Sequence, residues 1–146
     1  GDCNDSNPSI SPGALEICGN FVDEDCNGFD LSCSSTCDAA TEVDYNGRCH
    51  YLDGSGGSCD SGYSLAPQSV LGTIATSFVG KTYKHNPSGN CCVQHSQVAS
   101  EGQDWGMDAV DCNISGTFTV GPVLGGSSCV DANQQDVAQL TFCRSL

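Results

Sequence analysis

Twelve cysteines, at positions 3, 18, 26, 33, 37, 49, 59, 91, 92, 112, 129 and 143, are spread through every part of a chain of 146 residues. An even number so widely dispersed points to a framework of about six disulfides, which a thiol-reducing compartment would not keep. The expected home is therefore secreted and extracellular, at the cell surface. A disulfide contributes about 2 to 4 kcal/mol by restricting the unfolded chain, so a few of them rival the net stability of a domain. Zinc is the competing use of cysteine, and it gathers thiols as paired C-x2-4-C knuckles. Only Cys33 and Cys37 approach that spacing, and no second knuckle matches them. His85, Cys91, Cys92 and His95 can be drawn as a zinc site. Neighbouring cysteines nonetheless favour two bridges to separate partners, because a ring closed between them is strained.

Charge narrows the partners. Eighteen acidic residues face four basic ones, Arg48, Lys81, Lys84 and Arg144, for a net charge of −14. Nucleic acid and anionic membrane surfaces are electrostatically opposed to such a chain, and cations are favoured. No apolar run reaches the length needed to cross a bilayer, so membrane insertion is not expected. The segment at Gly1 does not read as a signal peptide, and a mature, secreted product is expected.

Texture divides the chain in two. Residues 1–37 are rich in Asp, Asn, Ser, Gly and Cys, with too few large apolar residues for a core of their own, so crosslinks or a bound metal must fix them. The expected organisation is an acidic, disulfide-stapled, calcium-binding loop module over 1–37 and a disulfide-rich domain over 38–146. In the latter, Val70, Leu71, Ile74 and Phe78 fall on one helical face, with Pro67 suited to the first turn and Gly80 to the exit. Short β-prone pieces follow at Lys81 to Lys84, Cys91 to His95, Gly116 to Val120 and Gln139 to Phe142, with turn residues between them. One main helix and several short strands give the expected class, α+β.

The sequence Asp23-Glu24-Asp25-Cys26-Asn27-Gly28-Phe29-Asp30 carries the chemistry. Oxygen-bearing side chains alternate at 23, 25 and 27 before a Gly where a tight loop must reverse, and alternation in a curling loop aims them inward. Calcium takes six to eight hard oxygens, and Gly28 frees the backbone for the Phe29 carbonyl to join. The pattern fits positions 1, 3, 5 and 6 of an EF-hand loop, but Ser34 stands where the bidentate Glu would be. Asp30, a second set at Asp2, Asn4, Asp5 and Ser6, and Glu16 complete the candidate ligands, with Ca2+ as the expected ion. Four carboxylates within eight residues would repel one another unless a divalent ion neutralised them.

Asp2-Cys3-Asn4-Asp5, then Ser11-Pro12-Gly13-Ala14-Leu15-Glu16-Ile17-Cys18, then Asp23-Glu24-Asp25-Cys26-Asn27-Gly28 resemble the MopE-type metal-binding repeat of secreted bacterial surface proteins. Copper has been associated with one member of that family, whereas hard oxygen donors favour calcium here. Asn4 stands where the family often has Asp. Similar alternating-acid loops occur in thrombospondin type 3 repeats and dockerins. In the larger part, Gly47-Arg48-Cys49-His50-Tyr51, the helix, Asp104-Trp105-Gly106-Met107 and Gln139-Leu140-Thr141-Phe142-Cys143 follow the order of landmarks in C-type-lectin-like domains. That resemblance implies a disulfide from the first helix region to the last strand. The family's sugar-binding calcium triplets are absent, which leaves Trp105 with Asp104, Asp108 and Asp111 as the candidate carbohydrate cradle; a lone Trp is more often a core anchor.

Neither G-x-S-x-G, H-E-x-x-H nor a phosphate-binding Gly loop occurs, so no enzyme is expected. Asn113-Ile114-Ser115 fits a glycosylation sequon. Together these features lead to an extracellular calcium-binding structural or adhesive protein of the cell surface, a subunit of a self-assembling filament whose partners are copies of itself or a surface glycan or protein. The alternative is a carbohydrate-binding lectin-like module. Because loops of this kind bind calcium at about 0.1 to 1 mM, the ion orders the loop locally and does not hold up the whole fold. EDTA is expected to expose residues 1–37 to protease while 43–146 stay folded; uniform resistance along the chain would contradict this.

Overall fold

The computed structural model describes residues 7, 10–14, 22–29, 36–96, 104–129 and 139–146. It divides between Thr36 and Cys37 into two compact units. In the second, the order is β1 (Glu42–Tyr45), β2 (Arg48–Asp53), β3 (Tyr63–Leu65), α1 (Gln68–Ile74), a 3-10 turn (Ala75–Phe78), β4 (Asn90–Gln94), β5 (Trp105–Met107), β6 (Pro122–Leu124), a second 3-10 turn (Gly126–Ser128) and β7 (Gln139–Ser145). This is an α+β arrangement with one described helix and mostly strands, held by disulfides.

The first hairpin is dictated locally. Tyr45 pairs with Arg48 across Asn46 and Gly47, whose φ angles of +51° and +70° are both left-handed. Two such residues in a row make the type I′ turn, whose twist matches that of the flanking strands. β2 then runs antiparallel to β7 with Leu52 opposite Phe142 and Tyr51 opposite Cys143. β7 is the middle of the sheet, which reads β1-β2-β7-β4-β5-β6. Its other edge is shared: β4 pairs in parallel with its first half at Gln139, Leu140 and Thr141, and β3 pairs antiparallel with Cys143, Arg144 and Ser145.

Side chains alternate across such strands, so each face needs its own cover. On one face Leu52, Val93, Leu140 and Phe142 meet Leu71 and Ile74 of the helix, with Phe78, Met107 and Phe118, in a single core. On the other face lies the segment after β2. Cys59 bridges to Cys143, the Asp60 N–H donates to the Tyr51 hydroxyl at 2.7 Å, and the Gly57 N–H donates to Thr141 Oγ1 at 2.6 Å. The Cys59–Cys143 bridge spans 84 residues. On the chain-entropy model a loop of that length is worth roughly 4 to 5 kcal/mol.

Alternation also explains the adjacent cysteines of β4. Cys91 and Cys92 point to opposite faces, and they bridge to Cys112 and Cys129 respectively. Both thiols of the drawn zinc set are therefore consumed. A fourth described bridge joins Cys37 to Cys49, so Cys37 belongs covalently to the larger unit.

The helix is shorter than the apolar stripe suggests. Pro67 stands just ahead of it with ψ of +147°, and after Ile74 the chain tightens into the 3-10 turn. Gly72, Thr73, Ile74 and Thr76 are all weaker helix formers than Ala or Leu, which accounts for the early end. Leu71, Ile74 and Phe78 are buried as the spacing requires, and Gly80 exits with φ of +84°.

Two expected strands are not strands. Lys81 to Lys84 and Gly116 to Val120 are irregular. They do meet: Gly80 N–H donates to the Phe118 carbonyl at 2.8 Å and Phe118 N–H to that of Lys81 at 2.7 Å. No ladder continues, because the N–H groups of Thr82 and Lys84 go to Ala40 and Leu52, and those of Thr119, Val120 and Gly121 go to the Asp111 carboxylate.

Gly106 and Gly126 face each other where β5 meets the second 3-10 turn. A Cβ on Gly106 would lie 2.3 Å from the Gly126 carbonyl oxygen and 2.6 Å from Cys129 Sγ. Backbone and a disulfide sulfur cannot swing aside, so Gly106→Ala should cost about 1 to 3 kcal/mol. A denaturant midpoint equal to that of the parent chain would show that the turn yields freely.

Candidate functional site: an acidic loop and two carboxylate clusters

In the first unit, Ser11 to Ala14 form a tight turn. The Ala14 N–H donates to the Ser11 carbonyl at 2.8 Å, with Pro12 and Gly13 at its centre and Gly13 at φ +92°. That is type II geometry, in which Pro supplies the fixed φ and Gly the positive one. The Ser11 N–H donates to the carbonyl of Glu24 at 2.9 Å, which ties this turn to the acidic loop.

The acidic loop curls around its own side-chain oxygens. Asp23 accepts from the Asn27 N–H at 3.0 Å with Oδ1 and from the Gly28 N–H at 2.7 Å with Oδ2. Asp25 Oδ1 accepts from the Asn27 N–H at 3.0 Å, and Asn27 Oδ1 from the Phe29 N–H at 2.9 Å. The chain turns this tightly through positive φ at Cys26 (+62°) and Gly28 (+98°). A Cβ on Gly28 would meet nothing within 4 Å, so the backbone conformation, and not space, asks for glycine there. Cys26 is disulfide-bonded, which anchors the bend. Each carboxylate oxygen has two lone pairs, so one N–H bond per oxygen leaves capacity for a cation. The fit to a hard divalent ion rests on this donor set: Asp23, Asp25, Asn27 and the Phe29 carbonyl offer oxygen only. Asp30, Asp2, Asn4, Asp5, Ser6 and Glu16 lie outside the described residues, as do Cys3, Cys18 and Cys33.

Elsewhere, Cys37, Glu42 and Cys49 place a carboxylate and two sulfurs within 4.8 Å of one another. This is not a metal centre, because both sulfurs are spent in the Cys37–Cys49 bridge and a disulfide lacks the thiolate that metals bind.

Glu42 belongs instead to a cage that sequence spacing gave no means of finding. Its Oε1 accepts from Lys84 Nζ and, at 2.7 Å, from the Tyr63 hydroxyl; its Oε2 accepts from the Asp38 N–H at 2.8 Å. Lys84 Nζ sits 4.6 Å from the ring centroids of both Tyr51 and Tyr63 and 3.8 Å from Asp60 Oδ2. Burial works to raise the Glu42 carboxyl and to lower the Lys84 amine. For Glu42 the Lys84 contact together with the Asp38 N–H and the Tyr63 hydroxyl outweighs burial, and for Lys84 the Glu42 contact together with Tyr63 does, so Glu42 lies below and Lys84 above its ordinary value. Burial pushes the Tyr51 hydroxyl up to about 12. Asp60 in turn holds His85 Nε2 at 2.9 and 3.0 Å.

The structure puts two acids of the candidate carbohydrate cradle out of a ligand's reach. Asp104 is buried, holding His95 Nε2 at 3.1 Å and the Trp105 N–H at 2.7 Å. Asp111 is fully buried and takes the N–H groups of Thr119, Val120 and Gly121 together with the Thr119 hydroxyl, all at 2.7 to 3.0 Å. Asp108 accepts from the Val110 N–H at 3.1 Å within its own turn. Trp105 is half-buried against the core, with a ring carbon 3.5 Å from where a Cβ on Gly72 would stand.

A disulfide-braced α+β unit and an oxygen-rich acidic loop thus define a metal-binding protein of extracellular type. Residues 2–30 match the family model described as "Putative metal-binding motif", the copper-binding MopE type. No curated protein and no solved structure matches the chain. No helix among the described residues is long and apolar enough to cross a membrane.

Burial works to raise the Asp111 carboxyl, but the N–H groups of Gly121, Thr119 and Val120 and the Thr119 hydroxyl outweigh it and hold it below its ordinary value of 3.8. A depressed folded-state value means that this contribution is complete above the unfolded value and disappears as pH falls through the folded one. Asp111→Ala should therefore destabilise the larger unit by about 2 to 4 kcal/mol at neutral pH, since it orphans several buried donors. The gap between parent and variant should begin to narrow once pH falls below the ordinary value of 3.8, where the unfolded carboxyl takes up a proton that the folded one still refuses. Denaturation curves with a constant gap from pH 7 to 2 would refute the assignment.

Proposed function

We propose that this chain is a non-enzymatic structural or adhesive module of the cell exterior whose acidic loop, Asp23 to Asp30, binds calcium. The observation that carries it is the inward set of Asp23, Asp25 and Asn27 around a loop reversed at Gly28, inside the segment that matches a metal-binding motif. An all-oxygen donor set suits Ca2+ better than copper, which prefers imidazole and sulfur. The family model's copper association makes copper the ion to compete against.

Self-assembly is the second part of the proposal. The described sheet ends in β1 and β6, each with a single ladder partner. Such an edge is where a strand from another copy can add. A carbohydrate-binding role has less support, because Asp104 and Asp111 are turned inward.

Calorimetry on the whole chain is expected to give calcium binding at about 0.1 to 1 mM. Asp23→Asn and Asp25→Asn should each weaken it about tenfold or more, with the larger unit's stability unchanged. Tight copper binding with no response to millimolar calcium would overturn the choice of ion. A monomer by sedimentation at every concentration in millimolar calcium would remove the filament.

A further inference from the structure

We propose that Lys84 and Glu42 join in an intramolecular isopeptide bond, an amide between Lys84 Nζ and Glu42 Cδ. Four observations converge on it. The amine and the carboxyl are in direct contact. The Glu42 side chain is 3 % exposed and that of Lys84 18 %, with the amine held between the Tyr51 and Tyr63 rings. A second carboxylate, Asp60, stands 3.8 Å from Nζ. The Tyr63 hydroxyl and the Asp38 N–H donate to the two Glu42 oxygens, where negative charge develops when a carboxyl carbon is attacked.

The step balances without any co-reactant. Starting from the ion pair, Nζ passes one proton to a Glu42 oxygen, which leaves a neutral amine and a neutral acid. The Nζ lone pair attacks Cδ and the C–N bond forms. Asp60 takes a second proton from Nζ and returns it to the departing hydroxyl; the Cδ–O bond breaks and one water leaves. His85, 49 % exposed and bonded to both Asp60 oxygens, links this carboxylate to solvent. Condensation in open water is disfavoured by the surrounding water, but groups fixed in contact reach effective molarities of about 10⁵ M or more. The opening proton transfer runs uphill, because the pair holds Glu42 below and Lys84 above its ordinary value, and the fixed geometry has to offset that cost.

The consequence is a covalent tie between β1, an edge strand, and the strap that follows the 3-10 turn. This tie is independent of the metal loop and of any disulfide. It would persist under reducing conditions.

Mass spectrometry of the whole chain, reduced and alkylated, should give a mass one water below that of the sequence. A digest should contain one branched peptide joining the Glu42 segment to the Lys84 segment. Lys84→Met and Glu42→Ala should restore the full mass expected for each variant, and Asp60→Asn should leave a growing fraction of the chain uncondensed. The parent measurement stands even if a variant fails to fold: a full sequence mass, with Lys84 open to an amine reagent in the denatured chain, would show an ion pair only and overturn the proposal.

Discussion

Self-repulsion is the constraint that the rest of this architecture answers. A net charge of −14 on 146 residues opposes compaction, and the core that must resist it is small: among the described residues, one seven-residue helix and short strands around Phe142, Leu52 and Leu71. Covalent bracing shortens the reach of the unfolded chain, so less burial has to hold the folded one together. Carboxylates are also absorbed singly into fixed donors. Asp111 is wrapped in consecutive N–H groups, Asp104 is set against His95, and Glu42 and Asp60 share the one caged lysine. The Asp23 loop uses the same device on a smaller scale, with the N–H groups of Asn27 and Gly28 as donors.

Much of the outline was legible in the residues. Dispersed cysteines announced the bridges, and the alternation of side chains along a strand sends Cys91 and Cys92 to separate partners. The apolar spacing of Leu71, Ile74 and Phe78 placed the helix, because burial of one face leaves a periodic trace. Asn46-Gly47 was just as readable as a hairpin turn, although the expected strands did not include the pair it joins. The acidic loop showed itself because its oxygens are close in sequence and its Gly has a conformational reason.

What stayed hidden is what depends on distant partners. Nothing near Asp111 in sequence says that the N–H groups of residues 119 to 121 will converge on it, and that convergence is why Gly116 to Val120 fails to become a strand despite its β-prone composition. Glu42, Asp60, Tyr63 and Lys84 come from separate segments, so no spacing rule gathers them. Local propensity reports on the neighbourhood of a residue, whereas such clusters are decided by the register of β1, β2, β3 and β7. Trp105 and its neighbouring acids show the converse case: closeness in sequence suggested a shared surface, and burial takes Asp104 and Asp111 out of it.

The placement of β7 bears on the order in which the larger unit can form. This strand holds the middle of the sheet, flanked by β2 on one edge and by β3 and β4 on the other, and each of those partners lies far from it in sequence. Non-local pairings of this kind are slow to find, because a long loop must close before any contact rewards it. Cys59 and Cys143 stand 84 residues apart, so their oxidation in the right pairing waits on that same encounter. The sheet therefore has no stable half-way form, and its longest crosslink acts as a latch that sets only once the central strand is in place.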